Sequence, residues 1–153
     1  MLLYVSLGAN IGRKAEQIEQ AISALNERVG TLIRCASLYE TLPEGFTSQH
    51  LFLNTAAVFE TQLSPLQILD ITQQIERELG RTTKSHDGIH YDRTIDIDLL
   101  LMDNLVLQHP RLTLPHPRLS QRRFVLEPLA EIAPQLRHPV LEKTNAQLLS
   151  ELE

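Results

Sequence analysis

Asp96 and Asp98 stand two apart in Asp92-Arg93-Thr94-Ile95-Asp96-Ile97-Asp98-Leu99-Leu100-Leu101, a run rich in apolar and β-branched residues with no proline. Such a run favours a strand. Alternate side chains of a strand share a face, so both aspartates point one way and Ile95, Ile97 and Leu99 the other. Two ionised carboxylates roughly 7 Å apart along the backbone repel one another and call for a cation. A hard divalent ion suits them, since Mg²⁺ takes one or two protein carboxylates beside water and phosphate oxygens. Arg93 adds a planar fork suited to phosphate. The chemistry implied is that of a metal-bound polyphosphate. Taken alone, Asp-x-Asp is also what the solvated face of a half-exposed sheet presents.

The elements that must position this strand follow in order. Leu2 to Leu7 is an apolar strand ending in Gly8-Ala9-Asn10-Ile11-Gly12, whose glycines allow positive φ or a close backbone approach. Its spacing matches neither the dinucleotide nor the P-loop pattern, which makes it a structural turn. Ala15, Ile18, Ile22, Leu25 and Val29 form one apolar helical stripe, with Gly30 expected to close the helix. Residues 31–40 read as a second strand. The polar stretch 41–50 is long enough to be a binding loop. Leu51 to Glu60 reads as a third strand with Phe52 and Asn54 on one face. Asn54 carries donor and acceptor together. It either reads the amide-like edge of a heterocycle with Phe52 stacked nearby, or bonds local backbone.

Ser64-Pro65 is a capping serine followed by proline at the first helical position. Ile68, Thr72, Ile75 and Leu79 make that helix's buried stripe, Gln73 and Glu76 lie on a neighbouring face, and Gly80 ends it. Residues 81–92 read as a loop able to close over phosphates with Arg81 and Lys84. After the aspartate strand, Asp103-Asn104 reads as a hairpin turn into Leu105 to Leu107. Residues 121–132 look helical with Arg122 and Arg123 at the start, a mismatch with the macrodipole that a bound anion relieves. A short closing helix is expected over 144–153. The order strand, helix, strand, strand, helix, strand is that of an α+β ferredoxin-like βαββαβ core: an antiparallel sheet, helices on one face, the other face free for a ligand, and extra C-terminal elements.

Composition narrows the function. The 153 residues are expected to form a single domain, 1–153. A net charge of −5, 5% aromatics and no tryptophan argue against a nucleic-acid binder, whose sheet face would carry stacking aromatics in a basic surround. Charge is uneven, however: residues 81–123 hold seven of fourteen Lys and Arg against five of nineteen acids, as suits a bound anion. The single cysteine, Cys35, reads as a buried small apolar residue and permits no internal disulfide, in keeping with a reducing compartment. His109 and His138 are assigned to the surface, and His86 and His90 to solvent or phosphate rather than to a metal. No signal peptide and no membrane-length apolar run is evident, and the expected location is cytoplasmic.

In combination, these motifs resemble the 6-hydroxymethyl-7,8-dihydropterin pyrophosphokinase family. Arg93-x-x-Asp96-x-Asp98-Leu99-Leu100 is similar to its signature. In family order the chain also has Gly8-Ala9-Asn10, Tyr39-x-Thr41, Phe52-Leu53-Asn54, Gln73-x-x-Glu76, Gly80-Arg81, Arg111-Leu112-Thr113-x-Pro115-His116 and Arg122-x-Phe124. The ordered set spans nearly the whole chain and is specific where single pieces are not.

The resemblance implies transfer of the β,γ-diphosphate of ATP to the hydroxymethyl oxygen of the reduced pterin, with release of AMP, in folate biosynthesis. It implies that Asp96 and Asp98 bind two Mg²⁺ ions, with Arg81 and Arg93 joining them as catalytic groups. Gln73, Glu76, Lys84, Leu99, Arg111, Thr113, His116 and Arg122 would surround ATP. Thr41, Leu42, Glu44, Phe52, Asn54 and Phe124 would form the pterin slot. The chain departs from the family at His90-Tyr91-Asp92, where a Trp-Gly-Pro-like run is common, and at Leu42 and Glu44, where Pro and Leu are. The aromatic that caps the pterin falls to His90 or Tyr91. Expected partners are these two small molecules, with no nucleic acid and no membrane, and the expected state is a monomer.

Overall fold

The computed structural model describes residues 1–41, 51–80 and 95–152. Strand β1 spans Leu2–Ala9, helix α1 Lys14–Arg28, β2 Gly30–Cys35, β3 Tyr39–Thr41, β4 Phe52–Thr61, α2 Pro65–Glu78 and β5 Asp96–Met102. After these come β6 Leu107–His109, β7 Leu112–Leu114, a 3₁₀ turn Leu119–Gln121, α3 Arg123–Ile132 and α4 Asn145–Ser150. The main sheet has the order β2-β4-β1-β5, with β3 pairing β4 beyond the end of β2. Every pairing in it is antiparallel, and the order agrees with the βαββαβ plan. β6 and β7 form a separate ribbon.

Helix α2 starts where its caps dictate. Gln67 N donates to Ser64 Oγ, and Ser64 N donates to Gln67 Oε1 at 2.9 Å, closing a capping box ahead of Pro65. Gly80 leaves the helix with φ 98°. Gly30 serves otherwise than expected. Helix α1 ends at Arg28 without it, and Gly30 opens β2, where a Cβ would lie 2.1 Å from Glu60 O. Close strand approach, not helix capping, requires that glycine.

The strand expected over 31–40 divides into β2 and β3, because Glu131 of α3 takes the amide of Ser37 at 3.0 Å in place of a ladder partner. Asp103-Asn104 is a turn, with Asp103 at φ 48°, but it does not fold a strand back onto β5. The next strand, β6, pairs with β7.

Two cores flank the sheet. On one face Leu3, Val5, Leu7, Ile97 and Leu99 pack with Ile18 and Leu25 of α1 and Ile68 and Ile75 of α2. On the other, Tyr4, Ala56, Val58, Leu100 and Leu101 pack with Val125, Leu126 and Leu129 of α3 and Leu148 of α4. The second face is therefore not free along its whole length, because α3 presents an apolar stripe that must be buried. A bulge helps to build that core. β1 pairs Tyr4 with Leu101 but Val5 with Leu99, so Leu100 is the extra residue and both leucines join the same cluster.

Two further expectations are corrected. Cys35 is exposed, because β2 is the edge of the sheet among the described residues. His138 is buried at 8% exposure beneath the loop that follows it, whose Val140 and Leu141 amides both donate to its Nδ1 and satisfy it there. Among the described residues no helix is long and apolar enough to cross a membrane.

Candidate active site

The end of the second face nearest Gly8 carries the polar side chains. Gly8 pairs with Asp96 on one side and Asn54 on the other, and Asn54 pairs in turn with Tyr39. Residues directly opposite one another in a sheet share a face. Asp96 and Asn54 thus flank a glycine that has no side chain, on the face opposite Ile97 and Leu99. One row along, Asp98 pairs with Ser6, and Ser6 with Ala56. Small residues fill the middle of both rows, leaving a trough with carboxylates on one bank and the asparagine on the other. Asp96 and Asp98 are both half-buried on this bank.

The asparagine bank is fixed in detail. Asn54 is buried at 3% exposure, and its Nδ2 donates to Thr41 Oγ1 at 2.6 Å. A Cβ on Gly8 would sit 2.7 Å from Asn54 Oδ1 and 3.6 Å from Phe52 Cδ1, so Gly8 is needed here for close approach. Half-buried Phe52 lies on the same bank at the start of β4. β3, which carries Thr41, is held from α3: Glu131 accepts from Tyr39 Oη at 2.6 Å and from Ser37 Oγ at 3.1 Å. That bond pushes the Tyr39 phenol up to about 12, because Glu131 stabilises the protonated form.

The carboxylate bank is closed by the segment after β7. His116 N donates to Leu100 O at 2.9 Å, the carbonyl of the bulge residue. The Leu114–Pro115 peptide just before it is cis. His116 Nδ1 accepts from Arg118 N at 3.1 Å, and the ring is half-buried. Its pKa is lowered, first by burial, then by the charges of Arg122 and Arg118, with Asp96 pulling the other way. His116, Arg122 and Asp96 are thus electrostatic neighbours. Arg122 caps α3 through its backbone and places its guanidinium 5.5 Å from the centre of the Phe124 ring, a cation–π contact. Phe124 is half-buried against the second core.

Other expected site residues are more dispersed. Leu99 packs in the first core. Arg111, in the β6–β7 turn, pairs with Asp70 of α2 at 2.5 Å, and Thr113 is exposed on β7. Gln73 is exposed on α2, whereas Glu76 is buried at 7% exposure. Leu42, Glu44, Arg81, Lys84, Arg93, His86, His90 and Tyr91 lie outside the described residues. Sequence reasoning did not find the Glu131–Tyr39 lock. The partners are 92 positions apart, and no local pattern joins them.

The donor set fits a hard cation. Two carboxylates share a strand face, and no group of three or more His, Cys, Asp and Glu able to hold a metal occurs among the described residues. Mg²⁺ held by one or two carboxylates, with phosphate and water completing its shell, matches that pattern better than zinc with its three or four protein ligands.

Comparison with known proteins decides the family. Residues 4–134 match the family model of 7,8-dihydro-6-hydroxymethylpterin-pyrophosphokinase (HPPK). The chain belongs to the HPPK family. It is 48% identical over 145 residues to the 2-amino-4-hydroxy-6-hydroxymethyldihydropteridine pyrophosphokinase of Porphyromonas gingivalis, covering 94% of this chain and 98% of that one. It is 41% identical over 147 residues to the enzyme of the same name from Bacillus subtilis, covering 95% and 84%. Among solved structures, an HPPK-DHPS in complex with substrates superposes with a TM-score of 0.80 at 15% identity. A wild-type Plasmodium falciparum HPPK-DHPS does so at 0.75 and 18%. The chain is covered to 98% in both but spans only 43% and 44% of those longer chains, so these likenesses speak for the HPPK fold alone.

Proposed function

We propose that this HPPK-family chain acts as one domain that transfers the β,γ-diphosphate of ATP to 6-hydroxymethyl-7,8-dihydropterin at the trough across Gly8. The relatives named above support the pyrophosphokinase activity and its place in folate biosynthesis. The observation that carries the site is the row Asp96–Gly8–Asn54, with two carboxylates on one bank and a fixed amide on the other.

In this reading the pterin lies on the Asn54 bank. Phe52 and Phe124 contact its ring, and Asn54, held by Thr41, meets its polar edge, with Leu42 and Glu44 completing the slot. The triphosphate lies on the other bank, where Arg122, Arg111 and His116 receive its charge, with Thr113, Gln73 and Lys84 around the nucleotide and Arg81 and Arg93 on the transferred group; the Leu99 side chain faces the first core instead. The pterin hydroxyl oxygen forms a bond to the β-phosphorus, the bond from that phosphorus to the α–β bridging oxygen breaks, and AMP leaves. The hydroxyl proton passes to solvent as the new bond forms. Such a transfer demands positioning and charge neutralisation more than covalent help. Held by Asp96 and Asp98, two Mg²⁺ ions would offset the triphosphate charge. Arg122 is kept in place by its stack on Phe124, which ties the phosphate bank to the pterin slot. We also propose that the chain works as a monomer in the cytoplasm and without nucleic acid, in line with its single cysteine and net charge of −5.

The test is a product assay with ATP, Mg²⁺ and the pterin, resolving AMP from ADP. Pterin-dependent AMP is expected. ADP instead would mean an ordinary kinase, and free pyrophosphate a nucleotidyltransferase. Either result overturns the proposal.

A further inference from the structure

Glu76 lies on the buried side of α2 at 7% exposure, beside Thr72 and Ile75, in a helix whose inner face is otherwise mostly apolar. A carboxylate in such a place must be held by strong partners. Its Oε2 accepts from Ile97 N at 2.7 Å, a buried bond between side chain and backbone. Ile97 is the residue between Asp96 and Asp98. Among the described residues its strand, β5, is the outermost of the sheet and has β1 on one side only. A main-chain amide on that open edge has no strand to take it. The bond is short, and it falls at the midpoint of the aspartate pair.

We propose that Glu76 is a positioning residue for the aspartate pair, clamping the β5 backbone at Ile97 so that the Asp96 and Asp98 carboxylates keep the separation their cations require. This rests on the reading of Asp96 and Asp98 as metal ligands. It gives Glu76 a task distinct from touching the nucleotide. The Asp96 and Asp98 side chains leave the same backbone on either side of the clamped amide. A shift of β5 at Ile97 therefore moves both carboxylates relative to Gly8 and Ser6 of β1, whose register with β5 fixes the bank. The acceptor matters in this role, and the negative charge does not. Gln retains an acceptor oxygen at the same reach, and Ala does not.

The experiment compares Glu76→Gln and Glu76→Ala with the parent in three measurements. These are amide hydrogen exchange at Ile97 in the protein without ligands, binding of Mn²⁺ with a non-hydrolysable ATP analogue, and the Mg²⁺ dependence of AMP formation. For Glu76→Ala, Ile97 is expected to exchange about tenfold faster, the factor that loss of a buried hydrogen bond implies. Mn²⁺ binding is expected to weaken and half-saturating Mg²⁺ to rise by a similar factor, with the KM for ATP at saturating Mg²⁺ within about threefold of the parent. Glu76→Gln is expected to stay close to the parent in all three. Unchanged exchange at Ile97 in Glu76→Ala overturns the proposal. So does faster exchange with unaltered metal dependence, a defect confined to the KM for ATP, or a Glu76→Gln variant as impaired as Glu76→Ala. Should Glu76→Ala not fold, Glu76→Met keeps the volume and takes its place. If the parent makes no pterin-dependent AMP, the reaction assignment fails, while exchange and Mn²⁺ binding still judge the clamp.

Discussion

Asp96 and Asn54 lie in one cross-strand row, separated only by Gly8. At the usual strand spacing this puts their backbones ~10 Å apart. Gly8 adds no side chain between them, which brings a carboxylate and a donor–acceptor amide to bear on one small volume. A polyphosphate on one bank and a flat heterocycle on the other can meet there without either bank moving.

Filling the gap is expected to cost binding before it costs folding. In Gly8→Ala the new Cβ would stand 2.7 Å from Asn54 Oδ1, and the φ at this position is not one that only glycine adopts. Asn54 must shift, so the KM for the pterin should rise by about tenfold while the KM for ATP changes by less than about threefold. Steady-state kinetics with each substrate varied in turn checks this. Equal effects on both would disconnect Gly8 from the Asn54 bank.

Removing either carboxylate is expected to stop the reaction without unfolding the chain. Asp96→Ala and Asp98→Ala should each lower AMP formation by at least about a hundredfold, since charge stabilisation of the transferring group depends on the cations they are proposed to hold. Thermal melts should show both variants folded, because each aspartate is half-buried at the edge of the cores rather than within them. Activity undiminished in both would remove the aspartate strand from the site.

The Glu131–Tyr39 lock can be read from the phenol. In Glu131→Gln the Tyr39 pKa should fall from about 12 toward 10.0, followed by ultraviolet difference titration with Tyr39→Phe as the control. Because β3 also carries Thr41, the same variant should raise the KM for the pterin more than that for ATP. A phenol that does not move would show that Glu131 leaves Tyr39 alone in solution.

His116 makes stability depend on pH. Its folded pKa lies below the ordinary 6.5, through burial first and then Arg122 and Arg118, so the unfolded chain binds the proton more readily. The imidazole therefore costs the fold nothing well above pH 6.5, and stability falls as pH drops from there toward the lowered value and levels off below it. Buried His138 acts in the same direction. Chemical denaturation at stepped pH should show a shallower acid limb in His116→Gln than in the parent. An unchanged limb would mean that this ring does not titrate below its ordinary range.

What the sequence alone determined is local. The alternation of Asp96, Ile97, Asp98 and Leu99 put the carboxylates on one face and the aliphatics in a core, because a strand has a period of two wherever it lies. Ser64 and Pro65 placed the start of α2 because a cap is made within one helical turn. The stripe Ile18, Leu25, Ile68, Ile75 faced the sheet as its spacing required. The family resemblance was legible for a related reason: its motifs are short and keep their order along the chain.

Tertiary structure alone decided which faces meet. That α3 and α4 would cover half of the second face, that Gly8 would be the gap between Asp96 and Asn54, and that Gly30 would serve β4 rather than α1 all depend on pairings between distant segments. The Leu100 bulge, whose carbonyl seats His116, arises from a register shift against β1. Cys35 is open to solvent and His138 is enclosed because of where an edge strand and a loop came to rest. Glu76 reaches Ile97 across 21 positions. Burial and hydrogen-bond partners are properties of assembled surfaces, and a residue's type constrains them only loosely.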